Sequence, residues 1–143
     1  MATEQEKKEY LEYMVEQRGY VLESHKLLAE HDLDVLKALN GIATACYLEE
    51  RLLDERTKEL LFIVSMTCLK LPKRAIQNHI KLALDLGITP QEILEAIEIV
   101  LPEAGVPTLS HGLEAWAEVV GATGFPLEVA TYEGGPVTSS TTG

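Results

Sequence analysis

Residues 54–93 read DERTKELLFIVSMTCLKLPKRAIQNHIKLALDLGITPQEI, and they decide the fold. Asp54 is a helix cap, and the segment from Glu55 to about Leu69 carries Leu60, Leu61, Phe62, Ile63, Val64, Met66 and Cys68 with almost no polar face. A helix apolar on all sides is a buried one. Near its start, Glu59 shares a face with Ile63 and Met66, so a carboxylate is drawn towards the interior. Lys70 and Leu71 form a short joint, and Pro72 suits the first turn of the next helix, where its missing N–H is no loss. In that helix, which runs to Gly87, Ala75, His79, Leu82 and Leu86 make one stripe, with Ile76, Ile80 and Ala83 beside it. A histidine therefore interrupts an apolar face. Thr89 then caps, Pro90 takes the first helical position, Glu92 completes a capping box, and Ile88 can staple onto Ile93.

The same periodicity extends in both directions. Upstream, residues 5–30 read as one long polar helix with Tyr10, Met14, Val21 and Leu28 on one side, weakened at Gly19. Asp32 caps a helix to about Glu50 in which Val35, Leu39, Ile42 and Cys46 form the expected core-facing stripe. Downstream, Ile93, Ile97 and Val100 repeat until Leu101-Pro102 stops the helix. Gly105-Val106-Pro107 makes a turn, and a last helix reaches about Val120 with Leu109, Leu113, Trp116 and Val120 on one face and His111 off it. No strand run or tandem repeat is present, so the expected fold is all-α, with five or six helices in one domain over residues 1–132. The Gly-, Thr- and Ser-rich residues 133–143 are expected to form a flexible tail.

Charge narrows the partners. All 12 Lys and Arg fall within residues 1–81, the remaining 62 residues carry nine acids and no base, and the net charge is −11. Nucleic acid would repel such a chain, because non-specific binding depends on neutralising phosphates. Neither a membrane span nor a leader segment is evident, so a cytoplasmic protein is expected. Cys46 and Cys68 sit in apolar helical patterns that suit buried, reduced thiols, and nothing in their spacing suggests a metal site. Between Leu60 and Leu84 there is no Asp or Glu, while Lys70, Lys73, Arg74 and Lys81 are all present. A locally positive window on an acidic protein can concentrate a small anion.

Taken together and in order, the LDERTKELLFIV segment, His79 on the following helix, the GITPQEI turn and Gly105-Val106-Pro107 resemble the carboxymuconolactone decarboxylase and alkylhydroperoxidase D-like superfamily. The resemblance implies an orthogonal helical bundle that assembles as a homotrimer or hexamer, with Glu59 and His79 in the family's acid and histidine positions. The peroxidase branch of that superfamily also has a C-x-x-C before the histidine. Here those positions are Pro72 and Ala75, and Cys68 alone cannot supply vicinal dithiol chemistry.

What remains is similar to the decarboxylase branch, which implies a cofactor-independent lyase or isomerase acting on a small carboxylated lactone or oxo acid. His79 would then move the proton and Glu59 would orient it, since histidine changes charge near neutral pH and a carboxylate fixes its tautomer. Lys73 and Arg74 would hold the substrate carboxylate, with His111 and Cys68 as further candidate pocket residues. Read without the resemblance, His79 is an ordinary core histidine, Glu59 an ion-pair partner, and His111 part of an exposed helix pair with Glu114 and Glu118. The rival function is a non-catalytic small-ligand-binding or assembly protein of the same fold. A thiol-dependent redox enzyme using Cys68 ranks third.

Overall fold

The computed structural model describes residues 2–126, which are helical with no strand among them. The tail expected at 133–143 lies outside the described residues. The helices are α1 (Glu4–Arg18), α2 (Glu23–His31), α3 (Leu33–Ala43), α4 (Glu55–Cys68), α5 (Lys73–Asp85), α6 (Pro90–Glu98), α7 (Leu101–Ala104) and α8 (Val106–Val120), with a π turn, Thr44–Leu48, continuing α3.

Local chemistry sets most of these boundaries. The Asp54 and Asp32 carboxylates accept from Thr57 N–H and Val35 N–H at 2.7 and 3.1 Å. Thr89 and Glu92 form the reciprocal capping box, with Pro90 in the first turn. Two predicted elements differ. The single helix expected over residues 5–30 is broken, because Gly19 adopts a left-handed φ of 82° and closes α1 as its C-cap. The chain restarts at Leu22, whose N–H is taken by Nδ1 of His25 at 3.1 Å. Pro102 does not stop the chain from being helical; it sits in the first turn of the short α7, where a proline is tolerated.

Two apolar cores result. Ile63 of α4, Ile76, Ile80 and Ala83 of α5, Ile93 and Ile97 of α6 and Ala115 of α8 form the larger one, joined by Ile88. Met14, Ala29, Leu33 and Leu36 knit α1, α2 and α3 into the smaller. Helix α8 lies close on α4 and α6 at Gly112, where a Cβ would stand 2.7 Å from Ile97 Cγ2 and 2.8 Å from Thr67 Cγ2. Trp116 secures the same contact by donating its indole N–H to the Pro90 carbonyl at 2.9 Å.

Three burial expectations are corrected. The stripe Val35, Leu39, Ile42 and Cys46 faces outward, with Ile42 65% exposed, and α3 instead buries Leu33, Leu36 and Asn40. Both faces have helical spacing; the buried one contains a polar residue that hydropathy discounts. Asn40 is accommodated because its Oδ1 accepts from Arg18 and its Nδ2 donates to Tyr10 Oη at 3.2 Å. Cys46 and Cys68 are exposed free thiols rather than buried ones. Helix α4, apolar nearly all round in sequence, buries one face only and leaves Leu61 open, and Leu69 at its C-cap is 72% exposed.

Candidate functional site

The site is built on consecutive residues of α4 that grip the π turn ahead of it. At that turn Glu49 N–H bonds the Thr44 carbonyl at 2.9 Å, an i→i+5 closure that widens the helix by one residue. Carbonyls at a helix end lack intrahelical partners. The buried Lys58 ammonium supplies them, donating to the carbonyls of Tyr47 and Glu49 at 2.9 and 2.6 Å. Glu59, the next residue, accepts the Tyr47 hydroxyl on Oε1. Backbone and side chain of Tyr47 are thus held from adjacent positions of α4.

Glu59 is 2% exposed, so its carboxylate must find its partners within the protein. Besides Tyr47 it has His79, whose Nδ1 lies 2.7 Å from Oε2. An ionised carboxylate only accepts, which places a proton on Nδ1 and leaves Nε2 as the nitrogen free for chemistry. The ring plane is also fixed: Phe62 stacks on the imidazole at 5.1 Å and 15°, and the edge of Tyr47 meets Phe62 at 4.8 Å. The arrangement is a histidine held in orientation and plane.

His79 lines a cleft of about 470 Å³ between α5 and the α1–α2 connection. Tyr20, Val21, Leu22, Met66 and Leu82 give it apolar walls; Arg74, Asn78 and Lys81 are polar lining residues, and no carboxylate lines it. A second hollow of about 310 Å³ reaches Tyr47 and Glu59 and shares Leu82. A further hollow of about 680 Å³, lined by residues of α1 to α3 of both charges, among them Glu6, Asp34, Lys7 and Lys37, touches neither Glu59 nor His79. No group of three or more His, Cys, Asp or Glu side chains among the described residues is placed to hold a metal ion.

The structure pairs Glu59 with His79, sets His79 and Arg74 on one cleft, and separates the other candidates from them. Lys73 is turned to α8, where its ammonium meets Glu118 at 2.6 Å and Glu114 at 3.5 Å. The Glu118 hydrogen bond, ahead of smaller contributions, raises the Lys73 pKa, and Lys73 in turn lowers that of Glu118. His111 donates Nε2–H to the Leu71 carbonyl at 2.8 Å, pinning the α4–α5 joint, where Lys70 has a left-handed φ of 51°. It does not line the cleft, and neither does Cys68 at the exposed end of α4.

Three contributions were not singled out from sequence. Tyr47 was hidden in the apolar run IATACYL, where a regular helix would aim it elsewhere. Lys81 was visible only as one base of the acid-free window. The wall from Tyr20 to Leu22 depends on the break at Gly19, which the sequence signalled only as a weak point.

The described residues form an all-helical bundle, the fold of the family to which the comparisons lead. The chain belongs to the carboxymuconolactone decarboxylase family, whose model matches residues 34–118, from α3 through most of α8. No curated protein and no solved structure gives a significant match. No helix among the described residues is long and apolar enough to cross a membrane.

Proposed function

We propose that the protein is a cofactor-independent lyase or isomerase that moves one proton on a small carboxylated lactone or oxo acid, with His79 as the proton-transfer residue. The observation that carries this reading is the Glu59–His79 pair at 2.7 Å opening onto a cleft lined by Arg74 and Lys81 and by no acid. In such a cleft an anion is attracted and a neutral analogue is not. The matching family is described by a decarboxylase, which motivates the decarboxylating form of the reading.

In the decarboxylating form the reaction balances without an external oxidant or reductant. The bond between the ring carbon and its carboxylate breaks, CO2 leaves, and the electron pair passes into the conjugated carbonyl as a dienolate. Carbon then takes the proton from Nε2–H of the imidazolium, whose charge faces Glu59. A proton from water restores His79. Apolar walls around the developing enolate strengthen the electrostatic effect of the two bases. In the isomerising form, neutral His79 removes the proton at Nε2 and returns it to a different carbon.

The test is to incubate the protein with a set of carboxylated lactones and oxo acids in D2O and follow products by mass spectrometry. The expected result is loss of CO2 with one deuterium on carbon, or migration of a double bond with deuterium on carbon to the extent that the proton held by His79 exchanges with solvent. Failure of every anionic member to turn over, with one bound unchanged, would favour the ligand-binding alternative.

A further inference from the structure

We propose that Tyr47 is a positioning residue for His79, acting through Glu59, and that the π turn exists to place its hydroxyl there. The proposal rests on the proton-transfer reading above. A buried carboxylate has two oxygens and a broad, two-fold terminal torsion, so one partner alone would leave Glu59 free to turn. Tyr47 on Oε1 commits Oε2 to the imidazole. The phenol is itself immobilised from three sides: its ring edge on Phe62, its own carbonyl on Lys58, and the i→i+5 turn behind it.

The chain Tyr47–Glu59–His79 does not work as a proton relay. The proton given to substrate comes from Nε2, whereas a proton arriving through Glu59 would reach Nδ1, which already carries one. The hydroxyl therefore sets which nitrogen faces the cleft and leaves reprotonation to the cleft side. Its removal should alter turnover more than binding, because Tyr47 lines the second hollow and not the cleft.

The experiment compares wild type with Tyr47→Phe, which keeps the ring and its edge contact with Phe62. Long-range ¹⁵N–¹H spectra of the imidazole report the His79 tautomer without needing a substrate. The wild type is expected to hold the proton on Nδ1 and Tyr47→Phe to populate both tautomers, with kcat reduced about 10-fold or more and KM nearly unchanged. A fluorotyrosine at position 47, which retains the hydroxyl as a stronger donor, should shift the His79 nitrogens while preserving the Nδ1 form. An unchanged tautomer in Tyr47→Phe, or unmoved nitrogens with fluorotyrosine, would overturn the proposal, as would an Nε2–H histidine in the wild type. A changed tautomer with unchanged turnover would keep the positioning role and remove His79 from the reaction, so the two failures are distinguishable.

Discussion

Replacing Gly112 by alanine sets two effects of known sign against each other. In an open helix the change would stabilise by about 1 kcal/mol, because alanine has the higher helix propensity. Here the added methyl would stand 2.7 Å from Ile97 Cγ2 and 2.8 Å from Thr67 Cγ2. Both neighbours are fully buried and β-branched, so neither rotates away easily. Overpacking of a tight core typically costs about 1–3 kcal/mol, which outweighs the propensity gain over most of that range. The difference is about 0–2 kcal/mol, and because both neighbours are stiff and fully buried the upper half of that range is expected, a destabilisation of about 1–2 kcal/mol or roughly 2–8 °C in melting temperature for a domain of this size. Urea unfolding at constant m would measure it. Thr67→Ser removes one of the two clashing methyls, so Gly112→Ala combined with Thr67→Ser should be less destabilised than the sum of the single changes. A Gly112→Ala protein as stable as wild type would refute the close approach of α8 to α4 and α6. The consequence reaches the site, because His111, the preceding residue, pins the joint that leads into the helix of His79.

His25 is held below the ordinary histidine range by burial first and by the nearby Arg18 guanidinium second. The unfolded chain therefore binds its proton more readily, so the contribution of the neutral form is present above about pH 6.5 and is lost as pH falls through the folded value. His25→Gln should flatten the fall in urea midpoint between neutral and mildly acidic pH, and an unchanged slope would contradict this. Charge reversal at Arg74 or Lys81 should raise KM for an anionic substrate, while Lys73→Ala should change it little, because Lys73 is engaged by Glu118 and Glu114 on α8; steady-state kinetics would show an equal effect if that division were wrong. We also propose self-association as a trimer or hexamer, since the outward stripe of α3, Leu61 of α4 and Leu69 at its C-cap leave apolar surface uncovered; a 15.8 kDa species by light scattering at micromolar concentration would refute it.

The sequence was most legible where one local interaction settles the backbone. Thr89, Pro90 and Glu92 specify a helix start without reference to the rest of the chain, and the structure carries the same capping box. The all-α class follows from such signals repeated along the chain. Burial was less legible, because it depends on what each helix meets. On α3 the more hydrophobic stripe faces out, and the polar Asn40 faces in, since Arg18 and Tyr10 arrive from α1 to satisfy it. The same limit applies to the site. Glu59 and His79 were named as candidates from a helical face and a family resemblance, but the third member, Tyr47, depends on one extra residue in a helical turn. No periodicity reports that insertion. Lys73 and Arg74 are adjacent in sequence, and only the packing of α8 against α5 separates a base held by carboxylates from one that lines the cleft.

The central claim is that His79 transfers a proton while Glu59 orients it. Single-turnover kinetics of His79→Ala, on a substrate identified by mass spectrometry and after confirming that the variant is folded and assembled as wild type, tests it most directly. Loss of a positioned acid–base group should slow the chemical step by about 10²- to 10⁴-fold. Substrate affinity should change far less, because Arg74 and Lys81 still line the cleft. Turnover by His79→Ala at the wild-type rate would contradict the account.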